Sequence, residues 1–256
     1  PIEDVPRHVE HGGVTQAVFG KPDAKILEIN SKSGLYPLYV AYSLYRRKLG
    51  DVPEDAVTPA ALAKLWREVV VRSLFVVCKT PMARAITRRT LIGYDDKATV
   101  NAQYIKNLVE MLKNEPKEFY NKVCGGNAWN NKEFEMKMLK FDAVVGNPPY
   151  QVEVAKKQSE TNGQARRSSI FQYFQMAADA VSSGFTSLIY PGSRWIHRSG
   201  KGMDEFGRNQ INDPHLAEVH FWPDSGDVFP GMVAIADGIS IVMKDMKKTT
   251  SGFCYI

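Results

Sequence analysis

Cysteine is scarce in this chain, long apolar runs are missing, and so is the glycine-rich dinucleotide fingerprint. Only three cysteines occur in 256 residues, Cys78, Cys124 and Cys254. They are odd in number, far apart and not set beside histidines at metal-ligand spacing, which excludes a disulfide scaffold and a zinc module and suits a reducing cytoplasm. No metal site is expected. No apolar run approaches the length needed to span a bilayer, and no signal sequence precedes the first motif, so no membrane partner is expected either. Internal repeats and low-complexity tracts are absent. With 44% hydrophobic and 24% charged residues the composition is that of a folded globular protein with a sizeable core. The net charge of +5 is compatible with a polyanionic partner without requiring one. The chain begins at Pro1 and ends at Cys254-Tyr255-Ile256 in what reads as a strand, so it is taken as part of a longer protein.

What is present is strand and helix in alternation. Ala24–Ile29 reads as a strand and Leu35–Leu49 as the helix after it. Thr58 is placed to cap a helix from Pro59 to about Val71, and Leu74–Val77 is the next strand. Thr80-Pro81 opens a helix to about Thr90, Tyr104–Lys113 has helical spacing, and Cys124-Gly125-Gly126-Asn127 breaks the pattern before a strand at Phe141–Val145. Phe171–Val181 is a further helix and Phe185–Tyr190 a further strand. Val219–Trp222 and Ala234–Met243 read as strands with no full helix between them, an antiparallel tail. The alternation predicts an α/β fold, a doubly wound and mostly parallel sheet with ligands beyond the carboxyl ends of its strands. The polar loops after Ile29, Val77 and Val145 lie on that edge.

One of these loops carries chemistry. The strand Phe141-Asp142-Ala143-Val144-Val145-Gly146 ends abruptly in Asn147-Pro148-Pro149-Tyr150. The nitrogen of a planar amino group on a base is delocalised into the ring. Its lone pair is drawn out only if both amino hydrogens are taken up by acceptors, and the Asn147 side-chain oxygen and the Pro148 carbonyl are two such acceptors. Two prolines fix the backbone and remove donors, so the acceptors are held in place beforehand. Tyr150 offers a face on which an extruded base stacks. A Pro-Pro turn after a strand is otherwise only a turn, but the apolar strand before it and the nucleotide-type loop upstream supply the context that a short motif needs.

Asn-Pro-Pro-Tyr after such a strand resembles the amino-methyltransferases, especially the adenine-N6 DNA methylases of restriction-modification systems. A cofactor loop ahead of the catalytic loop is similar to the gamma arrangement, and Ile26–Tyr36 resembles its first motif. The likeness to the combined restriction-modification methylases extends to Phe185–Trp195 and Asp227–Gly231. The resemblance implies a Rossmann-like, S-adenosylmethionine-dependent methyltransferase over the whole of 1–256, with a cofactor half up to about 140 and a catalytic and substrate half after it. It implies the methyl donor S-adenosylmethionine as cofactor and adenine N6 in DNA as acceptor. Glu28 then faces the amino-acid part of the cofactor, Asn30, Ser31 and Gly34 belong to the loop beneath it, Thr15 touches the methionine carboxylate, and Asn127 stands where relatives place an acidic residue near the cofactor adenine. The first loop has one glycine where relatives often have more. The strand Phe75-Val76-Val77-Cys78-Lys79 lacks the terminal carboxylate that ordinarily holds the ribose hydroxyls, a role for which Asp95 and Asp96 are the nearest acids.

For DNA the expected contacts are Lys156, Lys157, Arg166 and Arg167 in the polar basic stretch after Gln151, with Arg194 beyond the strand ending at Tyr190. Trp195 reads equally as a stacking residue and as a core anchor. Arg84, Arg88 and Arg89 read as a solvated basic face. A target-recognition region is expected to lie outside this chain, because few residues follow Pro214. Other readings remain beside this one. The acceptor is cytosine N4, RNA or a protein glutamine, or the chain is a methylase-like DNA-binding module of a larger restriction protein without turnover.

Overall fold

The computed structural model describes residues 15–95, 97–153, 167–199, 202–231 and 234–256, with the backbone alone at Thr15, Gln16, Val152, Glu153 and Arg167. A short π-helical turn, Thr15–Phe19, leads into strand β1 (Ile26–Ser31). Helix α1 (Leu35–Leu49) and helix α2 (Pro59–Ser73) follow, then β2 (Leu74–Cys78), α3 (Pro81–Ile92) and β3 (Ala102–Tyr104). After α4 (Leu108–Asn114) and α5 (Pro116–Cys124) the chain enters β4 (Phe141–Gly146). A two-stranded antiparallel ribbon of β5 (Gln151–Glu153) and β6 (Arg167–Ser169) precedes α6 (Phe171–Val181) and β7 (Ser182–Tyr190). The remaining elements are α7 (Ser193–Ile196), α8 (Met203–Ile211), β8 (Leu216–Trp222), β9 (Ile239–Asp245) and β10 (Cys254–Tyr255).

Local chemistry explains where these elements start. Thr58 and Thr80 each place a hydroxyl before a proline at the first helical position. Thr58 Oγ1 accepts from Ala61 N at 3.2 Å and Thr80 Oγ1 from Ala83 N at 3.0 Å, so two otherwise orphaned helix donors are satisfied. Gly34 ends the first loop with φ 77°, and an added Cβ there would lie 2.8 Å from the Thr87 Cα of α3. Only glycine combines that backbone with so close an approach.

Eight strands form one sheet in the order β10-β8-β9-β7-β4-β1-β2-β3. From β3 to β7 every ladder is parallel, while β9 runs antiparallel to both β7 and β8. The doubly wound sheet with an antiparallel carboxyl-terminal part is therefore as expected. On one face Ile26, Val76, Cys78 and Ala143 pack under α1, α2 and α3 through Ala41, Leu44, Val69, Val70, Ala83 and Leu91. On the other, Leu27, Ile29, Phe75, Phe141, Val144 and Leu188 pack under Phe119, Phe174, Ala178 and Val181 of α5 and α6. Each strand of the centre is buried on both faces, which is why it reads as an unbroken apolar run.

Several segments differ from expectation: the strand expected over Ala234–Met243 begins only at Ile239 and runs to Asp245, and α5, α7 and α8 were not anticipated. Ala102–Tyr104 is a strand that ends before the helix begins at Leu108, so the helical spacing seen from Tyr104 covers a strand end, a turn and a shorter helix. The buried Lys244 of β9 was also not anticipated. It is 3% exposed and bonds Asp179 of α6 at 2.7 Å and Asp213 at 2.6 Å. Among the described residues no helix is long and apolar enough to cross a membrane.

Candidate active site at the carboxyl edge of the sheet

β1 and β4 lie side by side, with Glu28 opposite Val145. The loop after β1 and the Asn147–Tyr150 turn after β4 therefore emerge together. The approach is close: an added Cβ on Gly146 would lie 2.6 Å from the Ile29 carbonyl oxygen. Asn30 is buried with φ 78°, an uncommon conformation for a residue with a side chain, and the register between β1 and β2 breaks at the same point. Its side-chain amide donates to the Asn147 carbonyl at 3.5 Å. Backbone strain of this kind persists where surrounding structure holds it, and here it aims Asn30 across to the second loop.

Glu28 is 6% exposed. Its Oε2 has no hydrogen-bond partner among the described residues. Burial raises its pKa from the usual 4.5 to about 7, against the opposing pull of Ser31 and Lys32. An acceptor left unsatisfied in the interior is costly unless a donor arrives. Tyr36, on the first turn of α1, lies near both Glu28 and Tyr150, and burial together with the Glu28 charge raises its pKa.

Tyr150 is half-buried against the core, and burial is also what lifts its pKa far above that of a free phenol. The Asn147 side chain opposes that rise, and the Tyr150 carbonyl accepts from Ile170 N at 3.1 Å, where the chain returns from β6. Beside the turn a largely apolar cavity of about 470 Å³ opens between Leu35, Tyr36 and Tyr39 of α1, Val145 and Gly146 of β4, and Ile189 of β7.

The structure thus brings Glu28, Asn30, Ser31, Gly34 and Asn147–Tyr150 to one edge. Ser31 is buried with its hydroxyl 3.4 Å from Thr87 Oγ1, so its backbone is what it offers the site. Thr15 opens the π-helical turn, whose Val18 packs with α1, and its side chain lies outside the described residues. Asn127 needs correction. It sits in a 3₁₀ turn, Gly126–Ala128, and its side chain accepts from Met136 N at 2.7 Å. That segment folds back under the sheet: Phe134 packs on Phe75, Lys25 lies over the Phe134 ring and Glu133 pairs with Arg72 at the end of α2. Asn127 therefore belongs to the amino-end edge, opposite the site.

The loop containing Lys156, Lys157 and Arg166 lies outside the described residues, and Arg167 is described only as the start of β6, paired with Glu153. Arg194 does follow β7 on the expected edge, but its guanidinium is held by Asp237 at 3.0 Å. Trp195 is 1% exposed with its indole N–H donated to Ser240, so it is a core anchor. Asp95 pairs with Arg67 at 2.8 Å and Asp96 lies outside the described residues, so the described part of that pair is engaged elsewhere. Cys78 ends β2 fully buried, its thiol pushed up to about 11 by burial, and it supplies no negative charge where a ribose holder is expected. Among the described residues no cluster suited to a metal ion occurs. Tyr36 was within the first motif but unassigned; its place two residues after Gly34, on the turn facing β4, was the available signal.

Comparison with known proteins agrees with this geometry. No curated protein matches the chain. Among solved structures, the type ISP restriction-modification enzyme LlaGI in complex with a DNA substrate mimic superposes with a TM-score of 0.61 at 12% identity over 95% of this chain and 26% of its own. The type ISP enzyme LlaBIII bound to DNA gives 0.55 at 14% identity over 95% of this chain and 18% of its own. The M protein of the type I restriction enzyme EcoKI gives 0.54 at 10% identity over 94% and 45%. At such identities these likenesses establish the fold, and the chain spans less than half the length of each. The family model described as Eco57I restriction-modification methylase matches residues 72–229, more than half of the chain and the whole of β2 to β8 with the Asn147–Tyr150 turn. With that match the chain belongs to the Eco57I restriction-modification methylase family.

Proposed function

We propose that residues 1–256 form the catalytic domain of a DNA methyltransferase that transfers a methyl group from S-adenosylmethionine to adenine N6 in a restriction-modification system. The cofactor half runs to about residue 140 and the catalytic half follows. The observation that carries the reading is the Asn147–Tyr150 turn standing beside a buried carboxylate whose Oε2 lacks a donor.

S-adenosylmethionine, when bound, supplies the methyl group as a sulfonium. Glu28 would hold the cofactor's ammonium, a donor for its orphaned oxygen, and Asn30, Ser31, Gly34 and Thr15 would hold the rest of its amino-acid end. Asn147 Oδ1 and the Pro148 carbonyl accept from the two amino hydrogens of the target base. That draws the nitrogen lone pair out of the ring. Tyr150 stacks on the extruded base, and the Asn30 amide donating to the Asn147 carbonyl holds the turn beforehand, so little ordering remains for the reaction step. The amino nitrogen loses its proton to water.

DNA is the partner in this reading. Arg167 and the residues Lys156, Lys157 and Arg166 flank the base pocket in sequence and neutralise backbone phosphates, and Arg194 joins them if it exchanges Asp237 for a phosphate. A longer protein supplies target recognition. The buried Cys78 at the end of β2 favours a second reading, a DNA-binding module that has lost cofactor turnover.

The test is methyl transfer from labelled S-adenosylmethionine to mixed-sequence DNA, with digestion to nucleosides to identify the product. Asn147→Ala should lower the rate about 10²–10³-fold, as loss of one preorganised polar contact does, while S-adenosylhomocysteine still binds. Label in N4-methylcytosine would move the acceptor, and DNA binding with neither cofactor binding nor transfer would favour the second reading.

A further inference from the structure

The loops that leave β1, β2 and β3 share a charge pattern that methyl transfer does not use. Lys32-Ser33-Gly34, Lys79-Thr80 and Ile105-Lys106-Asn107 each contain one lysine and no carboxylate. Because β1, β2 and β3 are neighbours in the sheet and parallel, these loops stand side by side on the cofactor edge. None of the three ammonium groups makes a hydrogen bond or ion pair with another described residue. Lys32 and Lys79 are close enough to repel each other: burial first, and then the Lys79 charge, lower the Lys32 pKa while Glu28 raises it.

The lysines stand on a rigid frame. Lys79 N donates to the Ser31 carbonyl at 2.9 Å, Thr90 Oγ1 donates to the Ser33 carbonyl at 2.8 Å, and Gly34 is seated against Thr87. Repulsion between two unpaired cations on so fixed a frame is relieved by an anion between them. Lysine is a common phosphate binder and acts as a point charge. A carboxylate at the end of β2 would accept from ribose hydroxyls and repel phosphate. Lys79 beside a neutral Cys78 reverses both preferences.

We propose that Lys32, Lys79 and Lys106 form a phosphate-accepting subsite at the nucleoside end of the cofactor edge, where a free adenine nucleotide of the ADP class binds in competition with the cofactor. The inference rests on the reading above that this edge takes an adenosyl cofactor. A free nucleotide is favoured over the DNA backbone because the catalytic turn and the β5–β6 ribbon leave from β4, on the other side of β1 from Lys79 and Lys106.

The experiment is calorimetric titration of the whole chain with ADP, adenosine, S-adenosylhomocysteine and a short DNA duplex, repeated with K32Q/K79Q after its melting temperature is shown unchanged. ADP should bind about tenfold or more tightly than adenosine, an advantage that shrinks as salt rises to about 0.5 M, and be displaced by S-adenosylhomocysteine. The double variant should weaken ADP about tenfold more than it weakens S-adenosylhomocysteine, corresponding to loss of charge-assisted contacts. ADP no tighter than adenosine, parallel weakening of both ligands, or a loss confined to the DNA duplex would each overturn the subsite. Lysine-dependent ADP binding without any S-adenosylhomocysteine binding would uphold the subsite and remove the cofactor reading instead.

Discussion

A carboxyl group sealed within β1 holds its proton far longer than it would in water. Glu28 ionises near 4.5 in the unfolded chain and at about 7 in the fold, because burial disfavours its charge. The folded state therefore binds more protons than the unfolded one between these values, and stability falls as pH rises through that window, by on the order of 2–3 kcal/mol. Glu28→Gln should flatten this dependence and melt higher than the parent at pH 8, read by thermal melting of both proteins at pH 5 and pH 8. A cationic ligand that draws the carboxylate out should release protons near pH 7, visible as a dependence of the calorimetric heat on buffer. Gly146 tests the frame of the same site. An added methyl would meet the Ile29 carbonyl at 2.6 Å, so Gly146→Ala should cost about 1–3 kcal/mol in denaturant unfolding, typical of overpacking, and should weaken cofactor binding. The residues named from the sequence at Glu28, Asn30, Ser31, Gly34 and Asn147–Tyr150 converge because each is tied to a strand end, and strand ends are legible. Asn127 had no such tie. Its Gly-Gly neighbours signal only that the chain turns, and the direction of the turn is set by Phe134 finding Phe75, a contact between residues far apart in sequence.

Helices α2 and α3 could be located because threonine caps, N1 prolines and apolar spacing agreed with one another, and α1 from its apolar spacing and basic end alone. β3 could not, since three residues of mixed polarity carry no period and acquire strand character only from pairing with β2. α5, α7 and α8 were likewise hidden in polar stretches whose burial depends on partners elsewhere. The polar pin between α6 and β9 was beyond sequence reasoning for the same reason. Lys244 is a lysine in an otherwise alternating strand until Asp179 and Asp213 are seen to meet it. Lys244→Met should destabilise by about 3–5 kcal/mol, because it leaves two carboxylates facing each other without a cation. The readout is the chemical-denaturation midpoint, and the further substitutions Asp179→Asn and Asp213→Asn should recover part of the loss. If Lys244→Met is neutral, the pin contributes nothing to holding α6 on the sheet.

The cofactor and catalytic halves are halves in sequence only, since β1 pairs with β2 on one side and β4 on the other, and β4 continues the ladder to β7. One transition is expected on unfolding. Trp66, packed on Tyr45 and donating to the Leu91 carbonyl, reports one half, and Trp195, beneath Ser240, reports the other. Single-tryptophan variants retaining one or the other should give coincident urea midpoints; separated midpoints would make the two halves independent folding units. The β5–β6 ribbon has a different bearing on the molecule as a whole. The chain departs from Tyr150 and comes back to it, with Ile170 N closing on the Tyr150 carbonyl and Gln151 paired to Ser169. Departure and return at one point make a socket: what is spliced between the two arms can lengthen, shorten or change composition over evolutionary time without moving a strand of the sheet, and a designer can exchange that cassette in the same way.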